Sequence, residues 1–187
     1  MQNNSNQYKK VLNIGAGSKQ IKMPRHYDGW NKIYLDANQN PEMDLIADAR
    51  DMKKEIPDNS FDAVFTSHVL EHFFLSDVSI VLKELHRILK PNGLIETHVP
   101  DFYTSVKKVI NEDYPIDKPL YQSPAGPICT LDIIYGYSQF VKQGTHLDAH
   151  KTAFTPEFIR RLHQEAGFKV VLIQCIAFEI VVAGNKI

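Results

Sequence analysis

Three kinds of residue in this 187-residue chain could do chemistry: glycines that let backbone close on a ligand, carboxylates, and histidines. The glycines are Gly15 and Gly17, directly after the apolar run Val11 to Ile14. Glycine turns the chain tightly and puts no side chain between a ligand and the backbone N–H groups. Asp36 closes a second apolar run, Lys32 to Leu35, about 20 residues further on, where a nucleotide-binding unit carries its ribose carboxylate. A carboxylate can accept from both hydroxyls of a ribose diol, each such bond worth about 1.5–3 kcal/mol. Gln20 takes the place of the third glycine of a dinucleotide fingerprint, and there is no Gly-Lys-Ser/Thr. The pattern therefore speaks against NAD, FAD and triphosphates, and for a nucleoside ligand without phosphates.

Groups able to take a proton are His68, His98, Asp101, His146 and His150. His150 draws attention because it follows a long loop and precedes a helix start at Thr155. His72 follows His68 by four and could share its helical face; with Glu71 it is read as bracing a turn. His146, Asp148 and His150 alternate and could ligate a metal on an extended segment. No fourth ligand is suggested, so no metal is expected.

The elements that must hold these residues follow from periodicity. Short apolar runs at Val11–Ile14, Lys32–Leu35, Asp44–Asp48, Phe61–Thr66 and Leu94–Val99 read as strands. A helix over Asp77–Leu89, with Ser76 as its N-cap, lines up Val78, Val81, Leu82, Leu85 and Ile88, and Pro91-Asn92-Gly93 stops it. Pro24 and Gly29 allow only a short crossover helix between residues 18 and 31. Phe102–Val109 reads as helical and Asn111–Pro127 as irregular, the kind of long loop that serves as a lid. Thr155-Pro156 starts a helix ended by Gly167, and Lys169–Ile176 and Ala177–Ala183 read as closing strands. Alternating strands and helices mean an α/β domain with a mostly parallel sheet. Gly15, Asp36, Asp48, His68 and Asp101 each fall just past a strand, so one edge of the sheet should gather them all.

Composition bounds the partners. Hydrophobic residues make up 43% and charged residues 23%, the balance of a globular chain, and the net charge is −1. No Lys/Arg run exceeds two residues, which speaks against nucleic acid, and no apolar stretch would span a bilayer. Cys129 and Cys175 lack metal-type spacing and are expected to be buried free thiols of a cytoplasmic protein. Residues 1–9 read as a frayed tail and 10–187 as one domain, with 102–151 as a lid and acceptor-binding insertion. Nothing in the sequence fixes an oligomeric state, and a homodimer is left open.

Taken in order, these pieces resemble the class I S-adenosylmethionine-dependent methyltransferases, in particular the methyltransferase type 11 group. The resemblance runs from Lys10 to Phe168 and rests on Leu12–Ser18, Tyr34-Leu35-Asp36, Ala47-Asp48-Ala49-Arg50, Pro57–Asp62, Ser67–His72, Leu89–Gly93 and Val99-Pro100-Asp101. It implies a Rossmann-like, open, mostly parallel seven-stranded sheet with helices on both faces and its last strand antiparallel. It implies S-adenosyl-L-methionine as cofactor. Asn13, Gly15, Ala16 and Gly17 would line its methionine end, Asp36 and Ala37 its ribose, Asp48 and Ala49 its adenine, and Ser67 and His68 the methyl path. His150, His68 and Asp101 are the expected catalytic groups. Asn13 stands where the family usually has an acid, and Lys19 where it often has another glycine. The Asn/Asp-Pro-Pro-aromatic signature of amine and amide methylation is absent. The expectation is methyl transfer to oxygen or nitrogen of a small acceptor, a sugar or other metabolite. The alternatives are a non-catalytic cofactor- or partner-binding member of the fold, and an aminopropyltransferase.

Overall fold

A computed structural model describes residues 8–142 and 148–187. Strands β1 (Lys10–Ile14), β2 (Asn31–Asp36), β3 (Leu45–Ile46), β4 (Phe61–Ser67), β5 (Leu89–Pro100), β8 (Phe168–Ile176) and β9 (Glu179–Lys186) form one sheet, ordered β3-β2-β1-β4-β5-β9-β8. β1 to β5 pair in parallel, whereas β9 runs antiparallel to both its neighbours. The last strand of the chain is thus the antiparallel one, and it lies inside the sheet rather than at its edge.

Helices α1 (Leu75–Ile88) and α5 (Pro156–Glu165) cover one face. Val78, Val81, Leu82, Leu85 and Ile88 of α1 are fully buried on Leu12, Val64 and Ile95 of the strands. Each such side chain contributes about 1.5–3 kcal/mol on leaving water. The opposite face carries a shorter cover, a 3-10 helix at Arg25–Tyr27. Its Tyr27, with Met23 and Trp30, packs on Val11, Ala63 and Phe65. Pro24 and Gly29 leave room for no longer helix there, as their spacing predicts.

Several boundaries differ from expectation. α1 begins at Leu75, with Phe74 in the N-cap position, so Ser76 lies inside the helix and Asp77 in its first turn. Pro91-Asn92-Gly93, expected to stop the helix and turn the chain, lies with Lys90 in a bulge within β5: Phe61 pairs Leu89, and the next pair is Ala63 with Leu94. β3 shrinks to two residues. Within the stretch expected to be irregular, β6 (Pro119–Ser123) and β7 (Gly126–Cys129) form a separate hairpin. A two-stranded ladder has only edges, where proline is tolerated. α2 (Phe102–Glu112), α3 (Thr130–Tyr135) and α4 (Ser138–Val141) complete this insertion. α5 starts as expected, with the Thr155 hydroxyl accepting from the Phe158 N–H at 3.3 Å. β9 starts at Glu179, because Ala177 and Phe178 form the two-residue turn joining it to β8. Cys129 and Cys175 are both free. Neither is buried, and Cys175 is exposed because β8 is an edge strand with one flank uncovered. Among the described residues, no helix is long and apolar enough to cross a membrane.

Candidate active site

The parallel strands deliver Gly15, Asp36, Asp48, Ser67, His68 and Asp101 to their shared carboxyl edge, as expected. β9 runs the other way and so brings its first residue, Glu179, to that edge opposite Pro100. A hollow of about 390 Å³ between Lys10, Asn31, Asp44 and Ser60 lies at the amino ends of the strands and holds none of these residues.

Gly15 and Gly17 both adopt positive φ, 65° and 59°. A β-carbon on Gly15 would lie 2.5 Å from Val69 Cγ2, so the turn after β4 packs directly on this glycine. A β-carbon on Gly17 would meet nothing, which leaves that side of the backbone open. Asp36 is buried, and its carboxylate accepts from the Gly17 N–H at 3.0 Å and the Asn38 N–H at 2.9 Å, one on each oxygen. Each carboxylate oxygen has two lone pairs, so both can accept one more donor. Ala16 is buried and Ala37 exposed beside them. Asn13 is buried on β1 and has no side-chain hydrogen bond among the described residues. Asp48 already holds Arg50, whose Nη2 lies at 2.6 Å and whose Nη1 reaches Asp77 at 3.0 Å. Arg50 keeps the Asp48 carboxyl below its usual range, burial notwithstanding. Ala49 next to it is buried.

Past β4 the edge becomes a chain of alternating imidazoles and carboxylates. His26 Nε2 lies 2.7 Å from Glu96, which also accepts from the Tyr27 hydroxyl at 2.9 Å. His98 bridges Glu96 at 2.9 Å and Glu179 at 3.1 Å. Glu179 reaches His68 Nε2 at 3.1 Å, and His68 Nδ1 lies 3.2 Å from Glu71. Burial would lower the pKa of His98, but Glu179 and Glu96 carry it up to about 9. Burial opposes charge on His68 too, but Glu179 and Glu71 carry it up to about 10. Glu179, for which burial alone would favour the neutral form, is held near 2 by the two histidines. His68, expected as a base, is therefore held toward its protonated form by its two carboxylates. It holds a positive φ of 55°, unusual for a side chain of its size.

Asp101 is fully buried, and its carboxylate accepts from the Thr104 N–H at 3.0 Å and the Thr104 hydroxyl at 2.6 Å. Asp101, expected among the catalytic groups, is thus the helix cap of α2. His150 is half-buried and donates its Nδ1–H to the Ile133 carbonyl at 2.8 Å, so its lone pair is on Nε2. Burial pushes its pKa down and keeps it neutral. His146 lies outside the described residues, and with it the grouping of His146, Asp148 and His150. Sequence reasoning missed Glu96 and Glu179; the only signal was a charged residue inside each of two otherwise apolar strands.

Residues 10–96 match the family described as Methyltransferase domain. No curated protein matches the chain. Solved structures share the fold at low identity. One is a chain of the Haloferax volcanii complex between the methyltransferase activator Trm112 and a methyltransferase: 15% identity, TM-score 0.62, 96% of this chain and 83% of that one. Another is the Burkholderia thailandensis 1,6-didemethyltoxoflavin N1-methyltransferase with 1,6-didemethyltoxoflavin and S-adenosylhomocysteine bound: 16% identity, TM-score 0.61, 96% and 72%. A third is an S-adenosylmethionine-dependent methyltransferase of Methanosarcina mazei: 17% identity, TM-score 0.62, 96% and 93%. The family match covers the first half of the sheet, and these solved structures, S-adenosylmethionine-dependent methyltransferases among them, share the fold of the whole. The edge fits the cofactor of that class, for Asp36 keeps acceptor capacity beside an open glycine turn.

Proposed function

We propose that the chain transfers a methyl group from S-adenosyl-L-methionine to oxygen or nitrogen of a small-molecule acceptor. Asp36 carries this reading: a buried carboxylate, oriented by two backbone N–H groups, stands where a ribose diol would complete its acceptor set. Gly15 to Gly17 would hold the methionine end, with Asn13 beside them. Asp48 would meet the adenine while still paired to Arg50. The bound sulfonium supplies a good leaving group, so the chain's own work is alignment and exclusion of water. Residues 102–142 and 148–151 would supply the cover. Tyr121 of β6 stacks on Phe178 at 5.9 Å, and His150 returns to the turn after β4. Where the acceptor is a hydroxyl, loss of its proton falls to the group around Glu71, in which His150 carries the open lone pair.

Titration with S-adenosylhomocysteine tests the reading. Wild type binds, and Asp36→Ala weakens binding at least about tenfold, or about 1.4 kcal/mol. Unchanged affinity removes Asp36 from the site and the reading with it. Asn13 favours a second reading, a cofactor-binding member without activity, because an amide oxygen can accept from the ammonium of the methionine end but brings no charge to it. Cofactor binding with no labelled methyl reaching any member of a broad metabolite panel selects it.

A further inference from the structure

Among the described residues, one oxygen of Glu71 is without a partner. Glu71 is 1% exposed, its Oε1 meets His68, and its Oε2 is buried with no hydrogen bond. Such an oxygen in a protein interior costs several kcal/mol unless a donor or a cation reaches it. Two imidazoles stand beside it. One ligating atom from each of Glu71, His72 and His150 lies within 4.8 Å of the other two, and the two rings meet edge to face at 5.0 Å. His150 Nδ1 faces the Ile133 carbonyl at 2.8 Å, and His72 Nδ1 faces the Ala149 carbonyl at 3.4 Å. A carbonyl can only accept, so both rings carry their proton on Nδ1 and keep Nε2 as a lone pair. Histidines that ligate metals are oriented in this way, by a backbone carbonyl on the far nitrogen.

The backbone around the group is firmly set. The Glu71 carbonyl accepts from the Lys151 N–H at 2.7 Å and the Thr152 N–H at 3.2 Å. The Thr152 hydroxyl donates to Phe73 O at 2.7 Å, Lys151 Nζ donates to His72 O at 2.8 Å, and the His150 N–H donates to Tyr135 O at 3.1 Å. The ligands of a tetrahedral ion bound at about 2.0–2.1 Å lie about 3.3 Å apart, so the three groups, with ligating atoms within 4.8 Å, would have to draw closer around an ion.

We propose that Glu71, His72 and His150 bind a divalent first-row cation such as Zn²⁺, through Oε2 of Glu71 and Nε2 of each histidine. Two imidazoles and one carboxylate suit such ions and leave a coordination position open. The site joins the turn after β4 to the end of the covering insertion. It rests on the proposed methyl transfer only for its use: an acceptor oxygen at the open position would lose its proton more readily.

The experiment needs no acceptor. Purified protein, stripped with EDTA and dialysed, is titrated with Zn²⁺ by calorimetry and with Co²⁺ by visible absorption. The expected result is about one ion per chain with the absorption of a four- or five-coordinate cobalt site. His150→Ala and Glu71→Gln should each lose at least about tenfold in affinity, and His26→Asn, outside the group, should lose nothing. Circular dichroism identifies any variant that fails to fold, and His72→Gln then takes its place. Absence of stoichiometric binding by wild type, or full affinity in a folded His150→Ala, overturns the proposal. S-adenosylhomocysteine affinity, measured on the stripped protein, separates this failure from failure of the methyltransferase reading.

Discussion

Gly15 shows how much one residue can fix. Its φ of 65° would cost an alanine about 1–2 kcal/mol, and the contact with Val69 adds an overpacking cost of about 1–3 kcal/mol. Gly15→Ala should therefore lower stability by about 2–5 kcal/mol in urea unfolding. Adding Val69→Ala should relieve the clash but not the backbone conformation, so the double variant falls between the two only if both costs are present. His98 has a different signature. Its pKa is raised in the folded state from 6.5 to about 9. Its contribution is thus fully present below pH 6.5 and is lost as pH rises through 9, and it can reach about 3 kcal/mol. The stability gap between wild type and His98→Gln should be widest near about pH 6 and close near about pH 10. A gap that does not depend on pH would mean that His98 serves only as packing.

Among the elements, the β8–β9 hairpin turns on two residues that seldom take its conformation. Ala177 and Phe178 both have positive φ, 48° and 69°, in the two-residue loop between Ile176 and Glu179. Asparagine and glycine are the usual occupants of such a loop. Ala177→Asn should raise stability by about 0.5–1 kcal/mol, read as a melting-temperature gain of a few degrees. Phe178→Gly should gain nothing net, because it removes the stack on Tyr121, worth about 0.5–1.5 kcal/mol. A gain at both positions would show that the ring has no part in holding the cover down. This turn was not legible in the sequence, where Ala177 reads as part of a strand. Local propensity gives way here because the loop must set Glu179 against His68 and His98.

Across the whole molecule, the parts that could be read from residue order were those set by local chemistry. Gly15-x-Gly17, Asp36 and the Thr155-Pro156 helix start announce themselves by residue type and spacing, and strand alternation with helices gives the parallel sheet. Glu96, Glu179 and the orphaned oxygen of Glu71 could not be read. Their partners lie far off in sequence, and only the sheet order makes them neighbours. Asp101 illustrates the converse: the residue falls where expected, but its hydrogen bonds make it a cap. The position of β9 has a consequence for how the chain assembles. β8 finds its backbone partners only on β9, and β9 must seat itself against β5. The seating of β9 against β5 is also what places Glu179 between His68 and His98. Without that strand His68 and His98 would lack their common counter-ion, so the charge balance of the crevice depends on the strand that completes the sheet.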